Sequence, residues 1–405
     1  MRIGMVLATR FPPDIRVEKE VSALQTEHQL FMLCPRRNSQ ASQEVWQDIH
    51  VQRVFSTPMR WWTNWQLMAT CSSGGWKRAI YTYVKENQID VLHVHDLPLL
   101  GEAIDVGYQL NIPVIADLHE NYPQLLAEVQ NSRRSGALSA AQIVQRYSVS
   151  VDRWRRYEAQ IVPQATSVIV VIEEARERLL QLGIAPERIH LVANYTHLTD
   201  IVDSHETQPE SASGELFNVV YAGGFAATRD LHTVVDAVAL IEHTKMPGLR
   251  VLLMGGSGTE LEALNNHVAQ RHAQDRVVVL DWRPMKEVWE QIESSQVCLV
   301  PHVKSPHTDT TIPHKLFQYM ARQRPVIVSN CDPLERIVRE THCGLVYPSG
   351  DAPALAKCLE QLYFDPELRL RMGEAGRLAV QQKYNWEKTA YTLLQLYRQL
   401  AMVHN

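Results

Sequence analysis

Short apolar runs alternate with stretches of helical apolar spacing along most of the chain. This alternation is typical of βαβ units and parallel sheets. In the first half, strands are predicted at 3–8, 29–34, 49–54, 90–95, 112–118, 167–172 and 188–194. In the second half, they are predicted at 218–223, 250–255, 276–281, 296–301, 325–330 and 344–348. The pattern therefore predicts an α/β fold with two doubly wound, Rossmann-like domains of parallel strands.

A segment rich in Ser, Glu and Pro separates the two sets of strands and is typical of an interdomain linker. We predict an N-terminal domain over 1–200, a linker over 201–216, a C-terminal domain over 217–385 and a final helix over 386–405. Because open α/β sheets bind ligands at the carboxyl ends of their strands, the cleft between the domains is the expected active site.

Composition and charge exclude several classes of protein. The chain of 405 residues suits two domains, and its 45% hydrophobic and 21% charged residues are typical of a soluble enzyme. A net charge of −5 leaves no excess of Lys and Arg for general nucleic-acid binding. Six cysteines without a C-x-x-C pair favour a reduced, cytoplasmic protein without a zinc site or disulfide framework. The N-terminus is predicted to be a strand rather than a signal peptide, and no apolar run approaches the roughly 18 residues of a membrane span.

The stretch TIPHKLFQYMARQRPVIVSN, residues 311–330, predicts a helix followed by a strand. At 100° per residue, His314, Lys315 and Gln318 lie on one arc of this helix and its apolar residues on the other. The free N–H groups at a helix start attract an anion, and Lys315 adds a full charge, so a phosphate site is predicted. The alternative is an ordinary amphipathic helix with a solvated polar face.

Two glycine turns follow predicted strands of the second half. In YAGGFAATRDL, Gly223 and Gly224 allow backbone amides to approach an anion, and Arg229 can pair with a diphosphate. The second turn, Gly256-x-Gly258, lacks the third glycine of the dinucleotide fingerprint. A nicotinamide site is therefore weakly indicated.

A polar loop, HVKSPHTDTT at 302–311, follows another predicted strand of the second half. Loops at this position often carry function, so its polar side chains, which include Asp309 and Thr310, are candidates to hold sugar hydroxyls. The same residue types are also common in plain turns.

Polar residues also follow two predicted strands of the first half. Arg16, in RFPPDIRVEKEV, is a candidate to meet an anionic acceptor or donor group, or is a surface arginine. In VIADLHENYP, His119 stands beside Asp117 and Glu120, which favours a functional site over the alternative of a satisfied core histidine.

Segments 59–84 and 131–160 combine tryptophan with Arg and Lys. Such patches suit a peripheral contact with a membrane or a lipid-linked acceptor. The alternative is helix packing beside a solvated face.

Together, FPPDIRVEKEVSAL, VIADLHENYP, RIHLVANY, VVYAGGFAATRDL and PHKLFQYMARQRPVIVSN resemble, in order and spacing, the retaining GT-B-fold glycosyltransferases of family four (glycosyl transferases group 1). The resemblance runs over nearly the whole chain. It implies an NDP-sugar donor bound by the C-terminal domain, an acceptor bound by the N-terminal domain and a final helix that returns to the first domain. It also implies that no metal or cofactor is needed, because basic side chains and helix amides stabilise the leaving diphosphate.

The resemblance also implies roles for residues. His119 matches the family's histidine near the transferred sugar, and Arg229 and Lys315 match its basic positions. The catalytic candidates are His119, Asp309 and Thr310. The donor-binding candidates are Gly223, Gly224, Arg229, Trp282, Arg283, Thr311, Ile312, His314, Lys315 and Gln318. The acceptor-binding candidates are Asp14, Arg16 and Glu120, and no metal ligand is assigned.

One family motif is altered, because Thr310 and Gln318 stand where the family has two glutamates, eight residues apart. A glutamine carbonyl still accepts a ribose hydroxyl, but the bond is weaker by about 1 kcal/mol than one to a carboxylate. Asp309 is a candidate to replace the carboxylate lost at Thr310.

The leading hypothesis is a retaining glycosyltransferase that acts on a polysaccharide, glycolipid or lipid-linked acceptor. It is expected in the cytoplasm, with peripheral contact at the inner face of the plasma membrane. The alternatives are a nucleotide-sugar epimerase of the same fold and a non-catalytic, glycosyltransferase-like partner subunit.

Overall fold

The computed structural model describes residues 1–37, 40–56, 59–132, 149–201 and 216–404. The chain divides into two compact units. Unit 1 comprises Met1–Asn194 with Thr389–Asn405, and unit 2 comprises Tyr195–Lys388. The predicted linker and the first part of the 131–160 segment lie almost wholly outside the described residues.

Unit 1 is built on an eight-stranded sheet in the order β3-β4-β2-β1-β5-β6-β7-β8. Its strands are β1 Arg2–Leu7, β2 Gln29–Pro35, β3 Gln43–Trp46, β4 Ile49–Val54, β5 Val91–His95, β6 Val114–Leu118, β7 Ser167–Val170 and β8 Ile189–Leu191. Its helices are α1 Ile15–Leu24, α2 Met59–Thr70, α3 Gly74–Asn87, α4 Leu100–Leu110, α5 Tyr122–Ser132, α6 Val151–Ile161 and α7 Glu173–Gln181. The sheet is parallel except at β3, which pairs antiparallel with β4.

Strand register positions the polar groups of unit 1. Leu7 at the end of β1 is paired with His95 at the end of β5, and His95 is paired with Asp117 in β6. These strands are almost fully buried, as is typical of parallel strands, although β5 and β6 also carry His93, His95 and Asp117. Three carboxyl ends therefore meet at one edge of the sheet.

Unit 2 has a six-stranded, wholly parallel sheet in the order β11-β10-β9-β12-β13-β14. Its strands are β9 Phe217–Ala222, β10 Leu249–Gly256, β11 Val277–Asp281, β12 Val297–Val300, β13 Val326–Ser329 and β14 Gly344–Tyr347. Its helices are α8 Leu231–Leu240, α9 Gly258–Gln270, α10 Met285–Glu293, α11 Lys315–Ala321, α12 Asp332–Thr341, α13 Ala352–Phe364 and α14 Pro366–Gln382. A last helix, α15 Trp386–His404, begins in unit 2 and lies in unit 1 from Thr389 onward.

The strand order of unit 2 reverses between β9 and β12, which are neighbours at the centre of the sheet. Such a reversal opens a crevice at the carboxyl ends of the two strands and is where α/β sheets bind ligands. Gly223 follows β9 and His302 follows β12 closely. Unit 2 therefore brings the glycine turn and the polar loop together at this point.

The predicted α/β class with two doubly wound sheets is confirmed, and every predicted strand is present with its ends shifted by at most three residues. Strand β3 was not predicted, because Gln43–Trp46 is mostly exposed at the sheet edge and lacks an apolar run. None of the helices in the described ranges is long and apolar enough to cross a membrane.

Candidate active site

A cavity of about 290 Å³ lies at the carboxyl ends of β1, β5 and β6 in unit 1. Its polar lining consists of Thr9, Asp14, Asn64, His95, Asp96 and His119. Its apolar lining consists of Leu7, Ala8, Leu67, Met68, Pro98 and Tyr122. Of the residues assigned to catalysis or to the acceptor, His119 and Asp14 line this cavity, whereas Arg16 and Glu120 do not. Asp14 also caps α1, because its carboxylate accepts from the backbone N–H groups of Arg16 and Val17.

His119 lies between two carboxylates. Its Nε2 is 2.8 Å from Asp117 Oδ2, and its Nδ1 is 3.6 Å from Asp96 Oδ2. Burial lowers the pKa of His119, but the charges of Asp96 and Asp117 outweigh it and raise that pKa to about 9. The imidazole is therefore a cation at neutral pH, which makes it a hydrogen-bond donor rather than a general base.

Asp96 is a candidate that the sequence pattern did not single out. Its backbone has φ 63° and ψ 168°, a region occupied almost only by glycine, at a cost of about 1–3 kcal/mol. Its Oδ1 accepts from the backbone N–H of His119 at 3.1 Å, and its own N–H donates to the Asp117 carbonyl at 2.8 Å. The signal was available in LHVHD, which ends β5 as ADLHE ends β6.

Arg16 is buried, with 5% of its surface exposed. Its Nη2 is 2.7 Å from Asp117 Oδ1 and 2.9 Å from Glu20 Oε1, and its Nη1 donates to the Val192 carbonyl at 2.8 Å. This corrects the expectation that Arg16 faces a ligand. The side chain instead contacts Asp117 and Glu20 inside unit 1 and thereby holds Asp117 in place.

Asp117 Oδ2 is surrounded by three imidazoles. His119 Nε2, His95 Nδ1 and His93 Nε2 lie 2.8, 3.2 and 3.4 Å from it. His93 Nδ1 in turn lies 2.7 Å from the hydroxyl of Tyr397 on α15. Burial lowers the pKa of His93 and lowers that of His95 to about 3, so both are neutral. Burial raises the pKa of Asp117, but the charges of Arg16 and His119 outweigh burial and hold that pKa well below its usual range.

Glu20, His93, His95 and Asp117 each have a ligand atom within 4.8 Å of the others, a spacing compatible with a metal ion. The rings of His93 and His95, however, are stacked at 4.5 Å with 23° between their planes. Their in-plane lone pairs therefore do not converge on one point. Arg16 already contacts both carboxylates and supplies the positive charge of this cluster.

In unit 2, the side chain of Lys315 lies against the backbone of Gly223. Lys315 Nζ lies 3.9 Å from the centre of the Tyr221 ring. Gly223 has φ 146°, and a Cβ at this position would collide with Lys315 Nζ. Only glycine therefore lets the lysine lie against the turn after β9.

Positive groups converge beside this turn. Arg229 Nη1 donates to the His302 ring, whose Nε2 is 2.6 Å away, and burial and Arg229 keep the pKa of His302 well below its ordinary value. Burial and Arg229 likewise lower the pKa of Lys315 well below its usual range, and that of His307 to about 4. Within the described parts of the chain, no carboxylate forms an ion pair with Arg229 or Lys315. A bound anion would offset the repulsion between the positive charges of Arg229 and Lys315.

The loop at 302–311 uses its polar side chains internally. Asp309 Oδ1 accepts from Lys304 Nζ at 3.1 Å and from the backbone N–H of Asp332 at 2.9 Å. The hydroxyls of Thr310 and Thr311 donate to carbonyls of the same loop. The turn alternative therefore accounts for these contacts. A direct catalytic role of Asp309 or Thr310 gains no support from the geometry.

The remaining donor candidates lie near the same end of the unit 2 sheet. Trp282 follows β11 and is 70% exposed, and Arg283 Nη2 is 3.0 Å from Asp281. Gln318 is half-buried on α11, whose apolar face is fully buried. His314 is the N-cap residue of α11, and Ile312 lies two residues before it.

Two family models match consecutive stretches of the chain. The model described as Glycosyltransferase Family 4 matches residues 17–199, and the one described as Glycosyl transferases group 1 matches residues 204–379. Among curated relatives, the alpha-D-kanosaminyltransferase of Streptomyces kanamyceticus is 21% identical over 72% of each chain. The D-inositol 3-phosphate glycosyltransferase of Corynebacterium efficiens is 25% identical over 76% of this chain and 71% of its own.

Solved structures show the same fold over the full length. A sucrose-phosphate synthase from Thermosynechococcus elongatus has a TM-score of 0.75 at 21% identity and covers 100% of both chains. The Anabaena protein HepE in complex with UDP has a TM-score of 0.67 at 11% identity, over 98% of this chain and 100% of its own.

These comparisons do not favour the epimerase or the non-catalytic subunit. The two matches are consecutive, the first covers the unit 1 sheet except β1 and the second covers the unit 2 sheet, and the curated relatives named above are glycosyltransferases. The chain belongs to the group 1 glycosyltransferases and has the GT-B fold.

Proposed function

We propose that this glycosyltransferase moves a sugar from a nucleoside-diphosphate donor to a polysaccharide, glycolipid or lipid-linked acceptor, with retention of configuration. Unit 2 holds the donor diphosphate beside Gly223, and unit 1 holds the acceptor in its cavity. The observation that carries the proposal is the pair Lys315 and Arg229 at the carboxyl end of β9, two basic side chains that repel each other and that form no ion pair with a carboxylate of the described residues.

The other donor contacts follow from the positions of the side chains. The exposed indole of Trp282, beside Arg283, offers a flat surface for the base, and the amide of Gln318 accepts a ribose hydroxyl. The family resemblance assigns His119 to the transferred sugar, and the raised pKa of its imidazole makes it a charged hydrogen-bond donor. HepE, which has the same fold, has been solved in complex with UDP and with UDP-glucose, which supports a nucleotide-sugar donor.

Retention is proposed to proceed by attack from the face that the diphosphate leaves. No enzyme nucleophile is needed in such a step, because the departing phosphate takes the proton of the acceptor hydroxyl. The charges of Lys315 and Arg229 stabilise the diphosphate as its negative charge grows. We therefore propose that no metal or other cofactor takes part, so that EDTA leaves the rate unchanged.

Thermal unfolding with UDP, GDP, ADP or NAD tests the donor site. One nucleoside diphosphate is expected to stabilise the protein, by about 2.7 kcal/mol at 100 times its Kd. Arg229→Ala is expected to lose this stabilisation, because the guanidinium can no longer reach the phosphate. Arg250→Ala, an exposed arginine on β10, is the matched control and should retain it. Stabilisation by NAD alone would contradict the proposal.

We also propose peripheral attachment at the cytoplasmic face of a membrane through the start of α2. Trp61 and Trp62 are 65% and 56% exposed beside Arg60, and Met59 extends the apolar surface. Tryptophan next to a cation suits the headgroup region of a bilayer.

Co-sedimentation with vesicles that contain anionic lipid tests this attachment. Wild-type protein is expected to pellet with the vesicles, and the double variant Trp61→Ala/Trp62→Ala to lose at least fivefold in binding. Tyr108→Ala removes a 90% exposed aromatic side chain on α4 and should bind as the wild type does. Equal binding by the double variant would exclude α2 as the contact.

A further inference from the structure

We infer that the cavity of unit 1 selects an acceptor ring that carries hydroxyl groups but no phosphate or carboxylate. The inference rests on the proposed function, because it names the acceptor class for the cavity that the proposal assigns to the acceptor.

Charge is the first reason. Among the described residues, the lining of the cavity includes the carboxylates of Asp14 and Asp96 and neither lysine nor arginine. His119, the cationic side chain among the described lining residues, already contacts Asp117 at 2.8 Å and faces Asp96. Arg16 lies outside the lining and is occupied by Asp117 and Glu20. An anionic group in this cavity would therefore meet carboxylates without a free cation to offset them.

His95 provides the second reason, because it has an unused hydrogen-bonding atom. It lines the cavity and is 3% exposed, and its Nδ1 lies 3.2 Å from the Asp117 carboxylate. The same Nδ1 lies 3.2 Å from His119 Nε2. In the tautomer that donates from Nδ1 to Asp117, the Nε2 of His95 carries a lone pair, and this buried atom has no hydrogen-bond partner among the described residues. A hydroxyl that reaches Nε2 can donate to it, whereas a deprotonated phosphate oxygen has no proton to give.

The shape of the cavity provides the third reason. Leu67, Met68 and Tyr122 form an apolar wall, while Thr9 and Asn64 provide neutral polar groups. A sugar or cyclitol ring presents C–H groups on its face and hydroxyls at its rim, which matches this division. The volume of about 290 Å³ is at the small end of ligand pockets and suits one ring.

Saturation-transfer NMR on the full-length protein tests the selection with two probes, methyl α-D-glucopyranoside and glucose 6-phosphate. UDP, GDP and ADP are all present, so that the anion site at Lys315 and Arg229 is filled and cannot capture the phosphorylated sugar. We expect the neutral glycoside to bind at least tenfold more tightly than the phosphate. Equal or tighter binding of glucose 6-phosphate, or no binding of either probe, would overturn the inference.

Two variants separate selection from mere loss of the cavity. Asp96→Asn keeps the size of the side chain and removes its charge, so the preference for the neutral probe should narrow at least threefold. Asn64→Leu removes a neutral polar group but keeps both carboxylates. It should therefore weaken binding of the neutral glycoside, while glucose 6-phosphate remains excluded. An unchanged preference in Asp96→Asn would also overturn the inference.

Stabilisation of the protein by nucleotide, measured on the same samples, shows that unit 2 remains folded. It also distinguishes failure of the proposed function from failure of the acceptor inference. If no nucleoside diphosphate stabilises the protein, the proposed function fails. If a nucleotide stabilises it and the phosphorylated sugar still binds as well as the neutral one, the acceptor inference alone fails.

Discussion

Lys315→Met is expected to abolish nucleoside-diphosphate binding while leaving the free protein as stable as the wild type, or more stable. Lys315 is held against Tyr221 and is repelled by Arg229, so its charge opposes folding when no anion is present. With a diphosphate bound, the same charge gains a phosphate partner and stabilises the departing oxygen. Loss of one such group typically lowers the rate by 10²–10³-fold, or about 3–4 kcal/mol.

Two measurements check this prediction: thermal unfolding with and without the nucleotide that stabilises the wild type, and the transfer rate. The control is Lys357→Met, an exposed lysine on α13 of the same unit, which should behave as the wild type in both. A variant that is destabilised without nucleotide yet still binds it would show that Lys315 is a structural residue. Full activity in Lys315→Met would exclude its proposed role outright.

Asp117→Asn is expected to destabilise unit 1 by about 3 kcal/mol. The substitution removes the carboxylate that pairs with buried Arg16 and that lies next to three imidazoles. Breaking a buried pair typically costs about 3–5 kcal/mol. We expect a cost at the lower end of this range because Glu20, which also contacts Arg16, can ionise and replace part of the lost negative charge. Urea denaturation at pH 6 measures the difference, and a cost below about 1 kcal/mol would contradict this account.

Glu20→Gln is the matched control, and it carries a pH signature. Burial raises the pKa of Glu20 to about 8, so the carboxyl is neutral at pH 6 and an amide of the same shape should cost little there. A raised pKa in the folded state gives stability that is present below the unfolded pKa of about 4.5 and is lost as the pH rises through 8. Replacing Glu20 removes this loss.

The same sign applies to His119, whose raised pKa makes stability fall as the pH rises from about 6.5 through 9. His93, His95 and Asp117 have lowered pKa values, so their contributions are already complete above pH 6.5. The groups of unit 1 therefore lower stability between pH 6.5 and 9, whereas the lowered pKa of Lys315 raises it over the same range in both proteins. The test is the difference between the two proteins, and Glu20→Gln is expected to lose less stability than the wild type. Equal slopes in urea denaturation at several pH values would rule out a neutral Glu20.

The strands and the two-sheet architecture could be predicted from the sequence because parallel strands covered by helices on both faces need continuous apolar runs. Gly223, Arg229, Lys315 and His119 could be selected for a related reason. Each follows a recognisable strand or opens a helix, so its place near a sheet edge is determined by local sequence alone.

Contacts between distant segments could not be read in this way, and they decided the details of the site. The pairing register of β5 and β6 places His95 and Asp96 next to His119. The fold also directs the side chain of Arg16 inward, where it contacts Asp117. The sequence by itself determined which side chains stand at the ends of the strands. Only the tertiary structure decided which of these side chains bind one another and which can bind a ligand. The reason is that a polar group forms a hydrogen bond with whichever partner the fold brings within about 3 Å.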